Sequence, residues 1–141
     1  MTERSAYHES EDEMWGPTYI DVLALATART SNTKFHADTF SWAKAIQEGQ
    51  KEAVGVDPEF LADLHFEEFR EGYLWSDQVH AFLNIMGKSG AIEVGSPRYK
   101  IRVFDQKAKE DFLANVDPRL DAQSEAIAYV TQAIDSIVGI G

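Results

Sequence analysis

The chain has no cysteine among its 141 residues. That excludes disulfides, thiolate metal sites and a cysteine nucleophile, and it suits a reducing cytoplasm, the expected location. Proline is scarce, with 4 in all, and each marks a boundary: Pro17, Pro58, Pro97 and Pro118. No apolar run approaches about 18 residues, so no membrane-spanning helix is expected. The stretch MTERSAYHESEDEMW is acidic and lacks an apolar centre, so it does not read as a secretory signal. The phosphate-cradling G-x-x-x-x-G-K, the dinucleotide G-x-G-x-x-G and the nucleophile turn G-x-S-x-G are all missing. The carboxylates are many, but no spacing singles out an acid–base pair. Catalysis is therefore not expected. The four histidines, His8, His36, His65 and His80, are scattered. Asp77 and His80 stand three apart on one expected helix, which by itself is too few ligands for a metal centre. No metal or cofactor is expected.

What the chain does have is apolar mass and acid. The hydrophobic fraction is 44%, with 3 Trp, 5 Tyr and 8 Phe, enough for one well-filled domain. The formal net charge is −11. It is unevenly spread. Between positions 88 and 109 lie Lys88, Arg98, Lys100, Arg102, Lys107 and Lys109 against Glu93 and Asp105, net +4. The remainder holds 7 basic and 22 acidic residues, net −15. Phosphate contacts need lysine and arginine, so any nucleic-acid contact must be confined to that window.

Residues 1–13 read as an acidic mobile arm. A first helix is expected over 18–29, apolar nearly all round and hence central. A second spans about 36–50, with Phe35, Phe40, Trp42, Ala43 and Ile46 on its inner stripe. Asp57-Pro58 is a start signal for a third helix, with Phe60, Leu61, Leu64 and Phe69 inward and Glu71-Gly72 at its end. Tyr73-Leu74-Trp75 is a short apolar link with strand character. Ser76 caps a fourth helix, whose Val79, Phe82, Leu83 and Met86 recur at helical spacing. Residues 91–94 and 99–104 alternate as strands about a turn at Gly95-Ser96-Pro97-Arg98. Helices at 107–116 and 118–138 follow. The expected fold class is α+β and mostly helical. Its parts are the arm (1–13), a main unit (14–116) and a C-terminal helix (117–141).

The helix at 76–88 followed by the basic hairpin at 91–104, with helices at 36–50 and 58–70 before it, resembles the winged-helix superfamily. The resemblance covers roughly residues 18–112. It implies a small cytoplasmic DNA-binding regulator without catalysis. Gln78, His80, Asn84 and Lys88 would face the major groove, and Arg98, Lys100 and Arg102 would hold backbone phosphates. Asp77 at the start of that helix, and Asp63, Glu67, Glu68 and Glu71 before it, would repel phosphate. The other reading is an acidic protein-interaction module: an adaptor, an antitoxin-like or viral inhibitor, or a decoy imitating nucleic acid, with a basic protein as partner.

The last helix carries Leu120, Ile127 and Ile134 at sevenfold spacing, with Val130 and Ile137 between and beyond. That seam is expected to form a homodimer interface. Trp15, Trp42, Tyr73 and Trp75 lack interleaved cations and are expected to pack between helices rather than stack on bases.

Overall fold

The computed structural model describes residues 18–53, 61–62, 64–95 and 100–140. The expected arm (1–13), the Asp57-Pro58 helix start, Phe60, Asp63 and Arg98 lie outside them. In chain order come α1 (Tyr19–Ala28), β1 (Lys34–His36), α2 (Thr39–Glu52), β2 (Glu67–Arg70), β3 (Tyr73–Trp75) and α3 (Asp77–Lys88). Then follow β4 (Ile92–Gly95), β5 (Ile101–Phe104), α4 (Gln106–Ala114), a 3-10 turn (Pro118–Gln123) and α5 (Ser124–Ile137). The fold is α+β, with two small antiparallel sheets among the described residues.

Helix α1 starts where Thr18 and Asp21 cap each other. Asp21 accepts the Thr18 N–H at 2.8 Å, and the Thr18 hydroxyl accepts the Ile20 N–H at 3.2 Å. Its residues Val22 to Ala28 are all buried, as a helix apolar on every side requires. The one hydroxyl in that run, Thr27, bonds back to the Leu23 carbonyl at 2.8 Å. Asp38 caps α2 through the Phe40 N–H at 3.0 Å. Trp42 lies in the centre of the core beside Phe35 and Phe82, and its indole N–H donates to the His36 carbonyl at 2.6 Å.

The larger sheet has the order β1-β5-β4. Phe35 of β1 is buried between exposed Lys34 and His36, the alternation of a half-covered strand. Arg102 lies opposite Phe35 and Phe104 opposite Ile92. The chain's own end covers the outer edge of β1. The His36 N–H donates to the Val138 carbonyl at 2.8 Å and the Ile140 N–H to the Lys34 carbonyl at 2.9 Å.

Two expected helical stretches are strand instead. Phe35 belongs to β1 rather than to the stripe of α2, because β5 supplies its hydrogen-bond partner from far along the chain. Residues 67–70, expected as the end of a third helix, pair with 73–75 as a hairpin. Glu71-Gly72 is its turn and not a helix stop. Gly72 has φ 85°, the left-handed region a tight hairpin turn needs. The Glu68 carboxylate accepts the Gly72 N–H at 3.3 Å.

Leu120 of the 3-10 turn and Ile127, Val130 and Ile134 of α5, expected at a dimer interface, are buried in the core of their own chain, in one cluster with residues of α1 and α2. Ile137 is half-buried. A second copy would reach the seam only if α5 left the core. The approach to α2 is close: a Cβ at Gly49 would stand 2.7 Å from the Val130 Cα.

Gly49→Ala is therefore expected to destabilise. The roughly 1 kcal/mol gained in helix propensity is outweighed by overpacking against backbone, which costs about 1–3 kcal/mol or more. Urea unfolding should show a lower midpoint at unchanged slope, while Leu113→Ala on an exposed face stays within about 0.5 kcal/mol. Ile127→Ala should cost about 2–5 kcal/mol. The unfolding midpoint should not depend on protein concentration, as it would if the seam were an intersubunit contact.

Candidate interaction surface

The five described basic residues of the window differ in their surroundings. Lys109 is 8% exposed, on α4. Its ammonium donates to the Thr30 and Asn32 carbonyls at 3.0 and 2.6 Å, tying α4 to the loop after α1. Asp135 of α5 closes the same knot, accepting from the Ser31 hydroxyl at 2.7 Å and from the Asn32 amide. Arg102 is half-buried, and its Nε–H donates to the Ala37 carbonyl at 2.9 Å. Lys107 is exposed and lies 3.9 Å from Asp111, a pair of small energetic weight. Lys88 and Lys100 are exposed.

Lys100 and Arg102 line a cleft of about 770 Å³ at the start of α2, together with His36, Asp38, Ser41 and Ile137. Its charge is mixed. The Asp38 carboxylate stands in it, held by the Phe40 N–H and by the Ser41 hydroxyl at 2.9 Å. The α2 amide end is thus already capped by an anion, and Asp38 offsets one of the two fixed cations that line the cleft.

On α3, Asn84 and Lys88 are exposed, and so is Ile85 at 44%. Gln78 is half-buried. Its side-chain oxygen accepts the His65 N–H and the Ser76 hydroxyl, each at 3.2 Å. His80 stacks on Trp75 with ring centres 5.0 Å apart, and Asp77 accepts the Trp75 indole N–H at 2.8 Å. Of the residues expected to read bases, His80 thereby packs on the β2–β3 hairpin and Gln78 ties the start of α3 to His65, just before β2.

That hairpin carries a surface the sequence reading did not assign. Phe69 is 67% exposed and Tyr73 46%. Both gather around half-buried Phe40 of α2, at 6.0 and 5.2 Å between ring centres, with Trp75 on the same ring at 5.7 Å. Phe40, Phe69, Arg70 and Tyr73 enclose a cleft of about 210 Å³. Four carboxylates, Glu67, Glu68, Glu71 and Asp77, are exposed in the same segment, against Arg70 alone. Of the four aromatics considered as a platform, Trp42 is core, Tyr73 and Trp75 belong to this surface, and Trp15 lies outside the described residues. Its one signal in the sequence is Gly72 between two short aromatic runs, which marks a turn without fixing the strands beside it.

Among the described residues no group of three or more histidine and carboxylate side chains could hold a metal, and no helix is long and apolar enough to cross a membrane. Compared with family models, curated proteins and solved structures, the chain matches none.

Burial lowers the Lys109 ammonium below its ordinary value of 10.5, and the Asp135 carboxylate opposes part of that shift. Well below the lowered value, folded and unfolded chains are equally protonated there. Between it and 10.5 the unfolded chain holds the extra proton, so the contribution of Lys109 to stability rises with pH. Lys109→Met should cost about 1–3 kcal/mol at neutral pH by leaving two carbonyls without their donor. The gap between wild type and variant should widen as pH rises through that interval, read from urea midpoints. A narrowing gap would contradict a buried, bonded ammonium.

Proposed function

We propose that the protein is a non-catalytic interaction module of winged-helix type whose partner is a protein with a basic surface. The observation that carries this reading is the allocation of charge. Lys109 and Arg102 are committed to backbone carbonyls of their own chain, while the carboxylates of the β2–β3 hairpin and of the start of α3 are exposed. A surface of this sign attracts cations and repels a polyanion. The chain order α1-β1-α2-α3-β4-β5, with β5 between β1 and β4 and a hairpin inserted before α3, supports the winged-helix resemblance. It does not by itself choose between DNA and protein.

The second reading, a DNA-binding regulator, is favoured by the exposure of Asn84 and Lys88 along one helix and of Lys100 before β5. It requires phosphates to approach beside Glu67, Glu68, Glu71 and Asp77, which costs electrostatic energy at each contact.

Titration against mixed-sequence duplex DNA and against an arginine-containing peptide, at low and moderate salt, separates the two. The expected result is peptide binding without measurable duplex binding, unchanged by Lys88→Ala or Lys100→Ala. Duplex binding that falls steeply with salt, and is weakened by either substitution, would establish the DNA reading instead.

A further inference from the structure

The hairpin surface is specific enough to name the chemistry it takes. From its rings and its charge we infer that the Phe40–Phe69–Tyr73–Trp75 cluster is a docking site for an arginine- or lysine-bearing segment of a partner protein, seated across the β2–β3 hairpin; this rests on the basic-partner reading above.

Three observations meet there. First, the rings are held rather than splayed. Phe40 is anchored on α2, and Tyr73 and Trp75 meet it edge-on, at interplanar angles of 71° and 62°. Trp75 is fixed in turn by its bond to Asp77 and by His80. A preorganised aromatic surface binds without the entropy cost of assembling itself. Second, the exposed ring faces already attract a cation: the Arg70 guanidinium lies 5.8 Å from the centre of the Phe69 ring. A partner cation would take the same kind of position over Tyr73 or share Phe69 with Arg70. Third, Glu67, Glu68, Glu71 and Asp77 are exposed in the same segment as Phe69, Tyr73 and Trp75, and Glu67 and Asp77 line a cleft beside Trp75. Exposed rings with carboxylates in the same segment are complementary to a guanidinium, which stacks by its plane and bonds by its edges.

Charge also decides against the chain's own candidate for the place. Residues 1–13 carry Glu3, Glu9, Glu11, Asp12 and Glu13 with only Arg4 opposing them. A segment of that sign is repelled by the hairpin's carboxylates. A polyanionic nucleic acid is repelled for the same reason.

The test follows the full-length ¹⁵N-labelled chain by NMR during titration with a capped Gly-Ser peptide carrying two arginines. Lysine and citrulline counterparts are run alongside. The expected result is saturable shifts confined to the amides of residues 67–77 and the Trp75 indole N–H. The arginine peptide should bind more tightly than the lysine one, and the neutral citrulline peptide should not bind. Phe69→Ala with Tyr73→Ala should weaken binding about tenfold or more. Both side chains are exposed, so the spectrum of the remaining fold should be preserved. Glu67→Gln with Glu71→Gln keeps every ring and should weaken binding and flatten its salt dependence. Shifts elsewhere, or undiminished affinity in the ring variant, would overturn the site while leaving a basic partner in place; undiminished binding of citrulline would overturn both the site and the basic-partner reading. Nuclear Overhauser contacts between these rings and residues 1–13 in the free chain would make the arm the occupant and overturn it too. No shift with any peptide would overturn both the site and the basic-partner reading.

Discussion

Helix α5 lies so close to α2 that Gly49 has no room for a side chain opposite Val130. Much of the fold depends on that contact. It brings Ile127, Val130 and Ile134 into the same core as Val22, Leu23, Trp42 and Ile46. The end of α5 then leads the chain to the outer edge of β1, where Val138 and Ile140 bond to His36 and Lys34. A seam with sevenfold spacing is therefore buried within the chain itself. Apolar residues at such spacing bury against whatever apolar face is nearest, and here the nearest belongs to the same chain.

Charge follows the same logic. The basic window looks uniform along the chain, but its members meet different surroundings once β5 and α4 are placed. Lys109 on α4 meets the Thr30 and Asn32 carbonyls in the loop after α1, and its ammonium donates to both. Arg102 faces Phe35 across the ladder, and its guanidinium turns to the Ala37 carbonyl. A cation bonded to carbonyls of its own chain is less available to contact a partner's phosphate, and the exposed carboxylates of the β2–β3 hairpin stand against the remaining cations.

The hairpin is the part of the fold least obliged by core packing. All four residues of β2 are exposed. Its rings nonetheless cluster on Phe40 and bind the hairpin to α2 and, through Trp75, to α3. A short exposed hairpin has little stability alone. Aromatic contacts of this kind hold it in one orientation and leave ring faces in water beside carboxylates, the combination from which a cation-binding surface is made.

The helices were legible in the sequence where a local signal and a local period agree. Ser76 caps α3 where expected, the inner face of α3 follows helical spacing, and α1 is buried all round as its composition implies. The β4–β5 hairpin was legible from alternation, and the α+β, mostly helical class from the sum of these. Two things were not. β1 has three residues and exists because β5 pairs with it from across the chain. Residues 67–70 have enough apolar spacing to suit a helix, and only their pairing with 73–75 makes them a strand. The sequence by itself determined what each segment can bury. The tertiary structure decided against what it buries: α5 against its own core, Lys109 against backbone carbonyls, and Phe69 against another ring at the surface. Burial partners are set by non-local geometry, which no local period encodes.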